Sequence, residues 1–126
     1  MPSMRCVPIL LALVALPAFA QITTSQYDNQ RTGADVNETI LTPKNVNTFK
    51  FGKIGAFKVD GPVYAQPLYV PGLDVPGKGR HNVLYVATEH DSVYAFDADH
   101  PGDAPLWQVS FLDPQRSIEP VSGDEV

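Results

Sequence analysis

Residues 83–97, VLYVATEHDSVYAFD, decide the fold of this chain. Two runs rich in β-branched and aromatic residues, 83–88 and 92–97, flank the polar tripeptide at 89–91. Such runs favour strands, and a polar three-residue connection is typical of a β-hairpin. Side chains alternate faces along a strand. The second strand is therefore predicted to point Val93, Ala95 and Asp97 to one face, and Tyr94 and Phe96 to the other.

Further strands are predicted on both sides of this hairpin. Upstream, residues 63–70 (VYAQPLYV) read as a strand in which Pro67 must lie at an edge, a bulge or a strand end. A Gly/Pro-rich surface loop is predicted over 71–79, and 51–59 (FGKIGAFKV) shows partial β alternation. Downstream, 106–111 (LWQVSF) gives another short strand. The prediction is four up-and-down strands between residues 63 and 111.

Helices contribute almost nothing to the predicted fold. The only candidate is a short turn over 42–46, where Thr42 could cap and Pro43 could begin it. Four short antiparallel strands in this length match one blade of a β-propeller. They equally match a small β-sandwich or meander, so strand count alone leaves both open.

The first 20 residues have the pattern of a cleavable signal peptide. Arg5 supplies the positive region, residues 7–15 the apolar region, and Ala18-Phe19-Ala20 the cleavage site. The mature protein would begin at Gln21 and be periplasmic or secreted. A bilayer span needs roughly 20 uninterrupted apolar residues. The leader is shorter and contains Pro8 and Pro17, so we expect no membrane span after cleavage.

Composition excludes several kinds of chemistry from the mature chain. Cys6 is the only cysteine and lies in the leader, so disulfides, thiolate metal sites and cysteine nucleophiles are excluded. Removal of Arg5 leaves eight of the nine basic groups beside 14 acidic ones, a net charge of −6. The basic residues are scattered, which argues against nucleic acid as a partner.

The segment Ala95-Phe96-Asp97-Ala98-Asp99, followed by Gly102 and Trp107, resembles the repeat signature of pyrroloquinoline-quinone (PQQ) type β-propellers. Blades of that family end with Ala-x-Asp, a Thr-Gly turn and a docking Trp. Here the spacing is two residues longer, and His100-Pro101 stands where Thr-Gly would be. Upstream, 31–33 (RTG) and 41–46 (LTPKNV) look like the start of quinoprotein dehydrogenases. The resemblance covers residues 27 to 111.

The resemblance implies structural roles for the repeat residues Ala95, Asp97, Gly102 and Trp107. We expect Asp97 to order the turn by accepting backbone N–H groups, Gly102 to make the turn through a positive φ, and Trp107 to fill the gap between neighbouring blades.

One blade buries too little apolar area to be stable alone. The expected organisation is therefore a truncated N-terminal part of a longer, incomplete ring. It comprises a signal peptide (1–20), an extended N-terminal segment (21–50), and the first blade with the start of the following connection (51–126).

The resemblance also bears on cofactors. Enzymes of the family hold PQQ with a glutamate shortly before the Pro-Leu of blade one and pack it against a disulfide between two adjacent cysteines. Tyr64 stands at the matching place here, and the mature chain has no cysteine. The calcium ligands and catalytic aspartate of those enzymes would lie beyond Val126. We expect no cofactor, metal or catalytic residue within this chain; PQQ and calcium belong only to a longer parent.

No other pattern in the sequence predicts catalysis. His81, His90 and His100 lie nine and ten residues apart, which is not a metal-ligand spacing, and no G-x-S-x-G motif occurs. The predicted function is an exported, non-catalytic PQQ-like propeller segment, a scaffold or interaction module whose partners are the remaining blades and other proteins. The alternatives are the N-terminal part of a PQQ-dependent quinoprotein dehydrogenase oxidising alcohols or sugars, and a small secreted β-domain complete in itself.

Overall fold

The computed structural model describes residues 21–120. The predicted signal peptide, residues 1–20, lies outside the described residues, as do residues 121–126. The regular structure of 21–120 consists of four strands and one short 3₁₀ turn, Pro114–Arg116. No helix in this part of the chain is long and apolar enough to cross a membrane.

The four strands form one antiparallel sheet. They are β1 (Leu68–Val75), β2 (Gly79–Ala87), β3 (Ser92–Asp97) and β4 (Trp107–Ser110). They lie side by side in chain order, and the sheet is open. The predicted all-β, four-stranded, up-and-down arrangement is therefore confirmed.

The β2–β3 hairpin has the predicted strands and the predicted turn. Val83 pairs with Asp97, and Ala87 pairs with Val93. Beyond the last strand pair, the N–H of Thr88 donates to the carbonyl of Ser92 at 2.9 Å. Three residues, 89–91, therefore make the connection, and the last of them has a positive φ of 50°. A left-handed residue at the end of a three-residue loop is the usual geometry of such hairpins.

The predicted surface loop over 71–79 is wrong for most of its length. β1 continues through Pro71 and Gly72 to Val75, and only the next three residues turn the chain into β2. The register shifts between Val70 and Leu73, which marks a β-bulge. The bulge accommodates Pro71 and Gly72 without ending the strand, because proline and positive-φ glycine are tolerated at bulges of edge strands.

The chain up to the start of β1 departs from the prediction in two places. Residues 51–59 form no ladder, and the strand predicted over 63–70 begins at Leu68, immediately after Pro67. Pro67 thus lies at a strand end, as its missing N–H requires. Residues 51–59 act by packing instead: Phe57 and Val59 lie against the buried cluster of Val86, Tyr94 and Phe96.

Apolar side chains lie on both sides of the sheet. One face presents Val86, Tyr94 and Phe96, which are buried under Phe57 and Val59 of the preceding segment. The Phe57 and Phe96 rings lie 4.6 Å apart between centroids. This face is therefore covered by the chain itself.

The opposite face is covered over only part of its area. Its buried core is Val75, Val83 and Ala95, against which Leu73, Tyr85 and Leu106 pack. Toward β4 the face opens to solvent, where Trp107 is 39% exposed and Val109 is 41% exposed.

The N-terminal segment contributes one short pairing to the sheet and otherwise runs irregularly. Ile22 forms an antiparallel bridge with Tyr69 on the outer edge of β1. A single turn is present where one was predicted, since the N–H groups of Asn45 and Val46 both donate to the carbonyl of Thr42 at 3.0 Å. Several large apolar side chains are exposed in this segment, Val36, Ile40 and Phe49, and just after it, Phe51 and Ile54.

Candidate functional site

The most concentrated group of polar contacts lies at the end of β3. The Oδ2 atom of Asp97 is 2.8 Å from Nδ1 of His81 and 2.8 Å from Nδ1 of His100. Its Oδ1 atom accepts the backbone N–H of Asp99 at 3.0 Å. We call His81, Asp97 and His100 the histidine–aspartate cluster.

Strand register brings His81 to Asp97. Asp97 pairs with Val83, and His81 precedes Val83 by two residues on β2, so both side chains lie on the same face of the sheet. His100 reaches the same carboxylate from the turn that follows β3. The cluster therefore ties the start of the β2 strand to the β3–β4 connection.

Two hydrogen-bond acceptors lie beside the imidazole ring of His81. Its Nε2 atom lies 3.0 Å from the backbone carbonyl of Lys78, and its Nδ1 atom faces the Asp97 carboxylate. Both partners only accept, and a neutral imidazole has one N–H to donate. Only the imidazolium can make both bonds. The Lys78 carbonyl, followed by the Asp97 side chain, accordingly raises the pKa of His81 above its ordinary value.

His100 and Asp97 respond to each other in the same way. The hydrogen bond with Asp97 and then its negative charge raise the pKa of His100, although the His100 side chain is 66% exposed. Burial would raise the pKa of Asp97, but the bonds from His81, His100 and the Asp99 N–H outweigh it and lower that pKa to about 2. The carboxylate thus stays ionised in the folded chain.

Asn82 connects this cluster to the bulge in β1. Its Oδ1 atom accepts the N–H of Gly72 at 2.8 Å, and its Nδ2 group donates to Oδ2 of Asp99 at 2.8 Å. The bulge would otherwise leave the Gly72 N–H unpaired. One side chain therefore holds both the irregular part of β1 and the turn after β3.

The cluster borders an open cleft of about 300 Å³. No hydroxyl or thiol lines it, so a nucleophile–histidine–aspartate arrangement is not formed there. Across residues 21–120, no group of three or more His, Cys, Asp or Glu side chains is placed to hold a metal ion. The cluster forms charged hydrogen bonds that join the β1–β2 turn to the β3–β4 connection. The lining residues are Gly72, Arg80, His81, Asn82, Asp97, Asp99 and His100.

A second polar group holds the segment before β1 to the β2–β3 hairpin. The Asp60 carboxylate accepts hydrogen bonds from the hydroxyls of Thr88, at 2.7 Å, and Ser92. Both hydroxyl residues are buried. Burial would raise the pKa of Asp60, but the Ser92 and Thr88 bonds outweigh it and lower that pKa. Burial and the Asp60 charge also raise the pKa of Tyr94.

The four repeat residues singled out in the sequence take distinct positions. Ala95 is fully buried at the centre of the sheet. Asp97 accepts the Asp99 N–H at the start of the turn, and Gly102 has a φ of +102° within it. Trp107 begins β4, with its ring 5.8 Å from that of Tyr85 between centroids.

His81 and His100 were not predicted from the sequence to act together. Their spacing along the chain gives no motif, because hairpin pairing and a turn bring them together. A signal was nevertheless available. The three-residue turn predicts that Val83 pairs with Asp97, which places His81 diagonally next to that carboxylate.

Comparisons of the chain with protein-family models, with curated proteins and with solved structures found no match.

Proposed function

We propose that this chain is an exported, non-catalytic protein that supplies one four-stranded blade of a PQQ-like β-propeller and serves as a scaffold or interaction module. The observation that carries the proposal is the uncovered apolar face of the sheet. Its members are Leu68, Tyr85, Val93, Trp107 and Val109, and we call them the apolar face.

The apolar face is continuous across all four strands. Leu68 pairs with Tyr85, Tyr85 with Ala95, and Ala95 with Trp107, so these residues form one row across the sheet. Val93 and Val109 form the next row. Each of these positions except Ala95 is half-buried or exposed.

A second sheet is the kind of partner that suits this face. Apolar surface removed from water contributes roughly 25 cal/mol per Å², so a row of large apolar side chains favours a covering layer. Neighbouring blades in repeat architectures supply such a layer. The half-exposed indole of Trp107 beside Tyr85 supports a docking role for this residue between two blades.

The β3–β4 connection gives independent support. Asp97 accepts a turn N–H, and Gly102 has the positive φ that a non-glycine residue rarely takes. These are the roles that the PQQ-like repeat assigns to the two residues. The departure from the repeat spacing is accommodated by a longer turn, in which His100 contacts Asp97.

The residues of this chain do not fit PQQ. Tyr64 stands where the family's enzymes place a glutamate, and its side chain is 70% exposed in the segment before β1. The only cysteine of the chain is Cys6, so a pair of adjacent cysteines cannot form. The proposal therefore assigns no catalytic step to this chain.

Trp107 is the only tryptophan, so its fluorescence tests the apolar face directly. For the chain that begins at Gln21, we expect a broad thermal transition and concentration-dependent self-association in which Trp107 becomes protected from acrylamide quenching. Trp107→Glu should abolish the association. Ser110→Glu is the matched control, because it adds the same charge on the same strand but on the other face, and it should associate like the parent chain.

A monomer with a sharp cooperative transition would contradict this proposal and favour a small complete β-domain. The dehydrogenase alternative has a separate test. PQQ added with calcium should leave the Trp107 fluorescence unchanged, and saturable binding of PQQ would favour that alternative.

A further inference from the structure

The sheet holds the predicted mature N-terminus in place from its second residue. The N–H of Ile22 donates to the carbonyl of Tyr69 at 2.9 Å, and the N–H of Tyr69 donates to the carbonyl of Ile22 at 2.7 Å. Gln21, the residue that cleavage after Ala20 would expose, lies just outside this bridge. The terminus is therefore fixed on its C-terminal side only.

Gln21 is exposed in the folded chain. Neither its backbone nitrogen nor its side-chain amide makes a hydrogen bond to any of residues 21–120. An N-terminal glutamine with a free amine can close a five-membered ring by attack of that amine on its own side-chain amide. The fold places no contact in the way of that closure.

We propose that Gln21 is a modification site and becomes pyroglutamate after the leader is removed; this inference rests on the export that the proposed function includes. The α-nitrogen forms a bond to Cδ, and the bond between Cδ and Nε2 breaks. One proton of the amine passes to the departing nitrogen, which leaves as ammonia. No oxidant, reductant or co-reactant is consumed, and a glutaminyl cyclase would only accelerate the step.

The product is compatible with the sheet. Ring closure changes the α-nitrogen and the side-chain amide of Gln21 but leaves its carbonyl and the Ile22 N–H unchanged, so the bridge to Tyr69 persists. The step removes the terminal positive charge. It also removes the free amine that aminopeptidases require, which would protect an exported chain from digestion at the end that pairs with β1.

The first experiment tests the chemistry without export. The chain is released from an N-terminal fusion so that it begins at Gln21, and it is incubated near pH 8, where about half of an α-amine is neutral. We expect the intact mass to fall by one ammonia and amine-directed labelling of the terminus to disappear, at the rate of a peptide with the same first residues. Gln21→Ala is the control and should keep its mass. A chain that keeps its mass while the peptide converts would overturn the inference.

The second experiment uses the chain with its own leader in a secreting host, with mass spectrometry of the N-terminal peptide. Pyroglutamate at position 21 is the expected result. A mature protein with a free Gln21 amine would overturn the inference and leave export standing. A secreted protein that begins at any other residue would overturn the inference and leave export standing, whereas a chain that keeps its leader inside the cell would overturn both. The Trp107 measurements are independent of these outcomes, so the blade proposal stands or falls separately.

Discussion

His81 lies 2.8 Å from Asp97, measured from Nδ1 to Oδ2, although 16 residues separate them in the chain. The contact joins the first half of β2 to the end of β3, and His100 adds a second imidazole to the same oxygen. The histidine–aspartate cluster therefore stabilises the fold through the charges of its side chains.

The cluster predicts a defined pH dependence. The folded pKa values of His81 and His100 are raised above 6.5, so their contribution to stability is full below that value and is lost as the pH rises through the folded values. The folded pKa of Asp97 is lowered from 3.8 to about 2, so its contribution is present above 3.8 and is lost as the pH falls through about 2. The cluster should stabilise the chain most between these limits.

Proton NMR titration of the histidine rings checks this dependence. The midpoints of His81 and His100 should lie above 6.5 in the parent chain. In Asp97→Asn both should fall, because the shared negative charge is gone. Midpoints for His81 that do not change in Asp97→Asn would show that the carboxylate does not hold the imidazolium.

Replacement of Asn82 should loosen the bulge and the β3–β4 turn together. Asn82→Ala removes two hydrogen bonds and leaves the Gly72 N–H unpaired, which we expect to destabilise the sheet by about 1–3 kcal/mol. Amide hydrogen exchange is the measurement, and exchange at Gly72 should accelerate. Asn82→Asp keeps the acceptor but places a carboxylate beside Asp99, so it should restore protection at Gly72 only in part. Unchanged exchange at Gly72 in Asn82→Ala would refute the role of this side chain.

Two features favour glycine at position 72, its left-handed backbone and the nearby end of the flexible Arg80 side chain, and their effects can be separated. Its φ is +58°, and an added Cβ would lie 2.8 Å from Nη2 of Arg80. Gly77 has a similar φ of +73° but no atom within 4 Å of such a Cβ. Gly77→Ala should therefore show only the backbone penalty, about 1–2 kcal/mol. Gly72→Ala should lower the thermal midpoint further, and Arg80→Ala should recover that difference. Equal effects of the two alanines would mean that Arg80 does not crowd the bulge.

The hydrogen bonds of Asp60 predict that mutations at Asp60 and Ser92 have strongly coupled effects on the free energy of unfolding. Asp60→Ala removes the shorter hydrogen bond of the Thr88 and Ser92 hydroxyls and leaves each only a longer one, to the backbone carbonyls of Ser92 at 3.5 Å and His90 at 3.4 Å. We expect a cost of up to about 1–3 kcal/mol for each weakened group. In a double-mutant cycle with Ser92→Ala, measured by urea unfolding, the two effects should be far from additive. Asp74→Asn removes an exposed carboxylate from β1 and is the control, with little change expected. Additive effects would show that Asp60 and Ser92 act separately.

Sequence reasoning succeeded where the determining residues are neighbours along the chain. The β2–β3 hairpin followed from two alternating runs and a three-residue turn. The missing N–H of Pro67 predicted an edge, a bulge or a strand end for this residue, and the structure has the strand end. Each of these features depends on local backbone preferences, which a single stretch of residues contains.

Sequence reasoning failed where a distant partner decides. Pro71 and Gly72 read as a loop, but the Asn82 side chain, ten residues away, pairs the bulge and lets β1 continue. Residues 51–59 show partial β alternation, but Phe57 packs on Phe96 and the segment forms no ladder. In both cases a tertiary contact outweighs the local preference.

The alternation of side chains and the turn chemistry between residues 83 and 97 were enough to determine an antiparallel, all-β chain, because hairpin pairing needs only nearby residues. Tertiary structure alone decided which face of the sheet the chain covers with its own Phe57 and Val59, and which face it leaves open around Trp107. It also decided that two histidines without a shared motif meet at one carboxylate. Both the covered face and the contact of the two histidines with one carboxylate depend on how distant segments pack. No local sequence pattern specifies that packing.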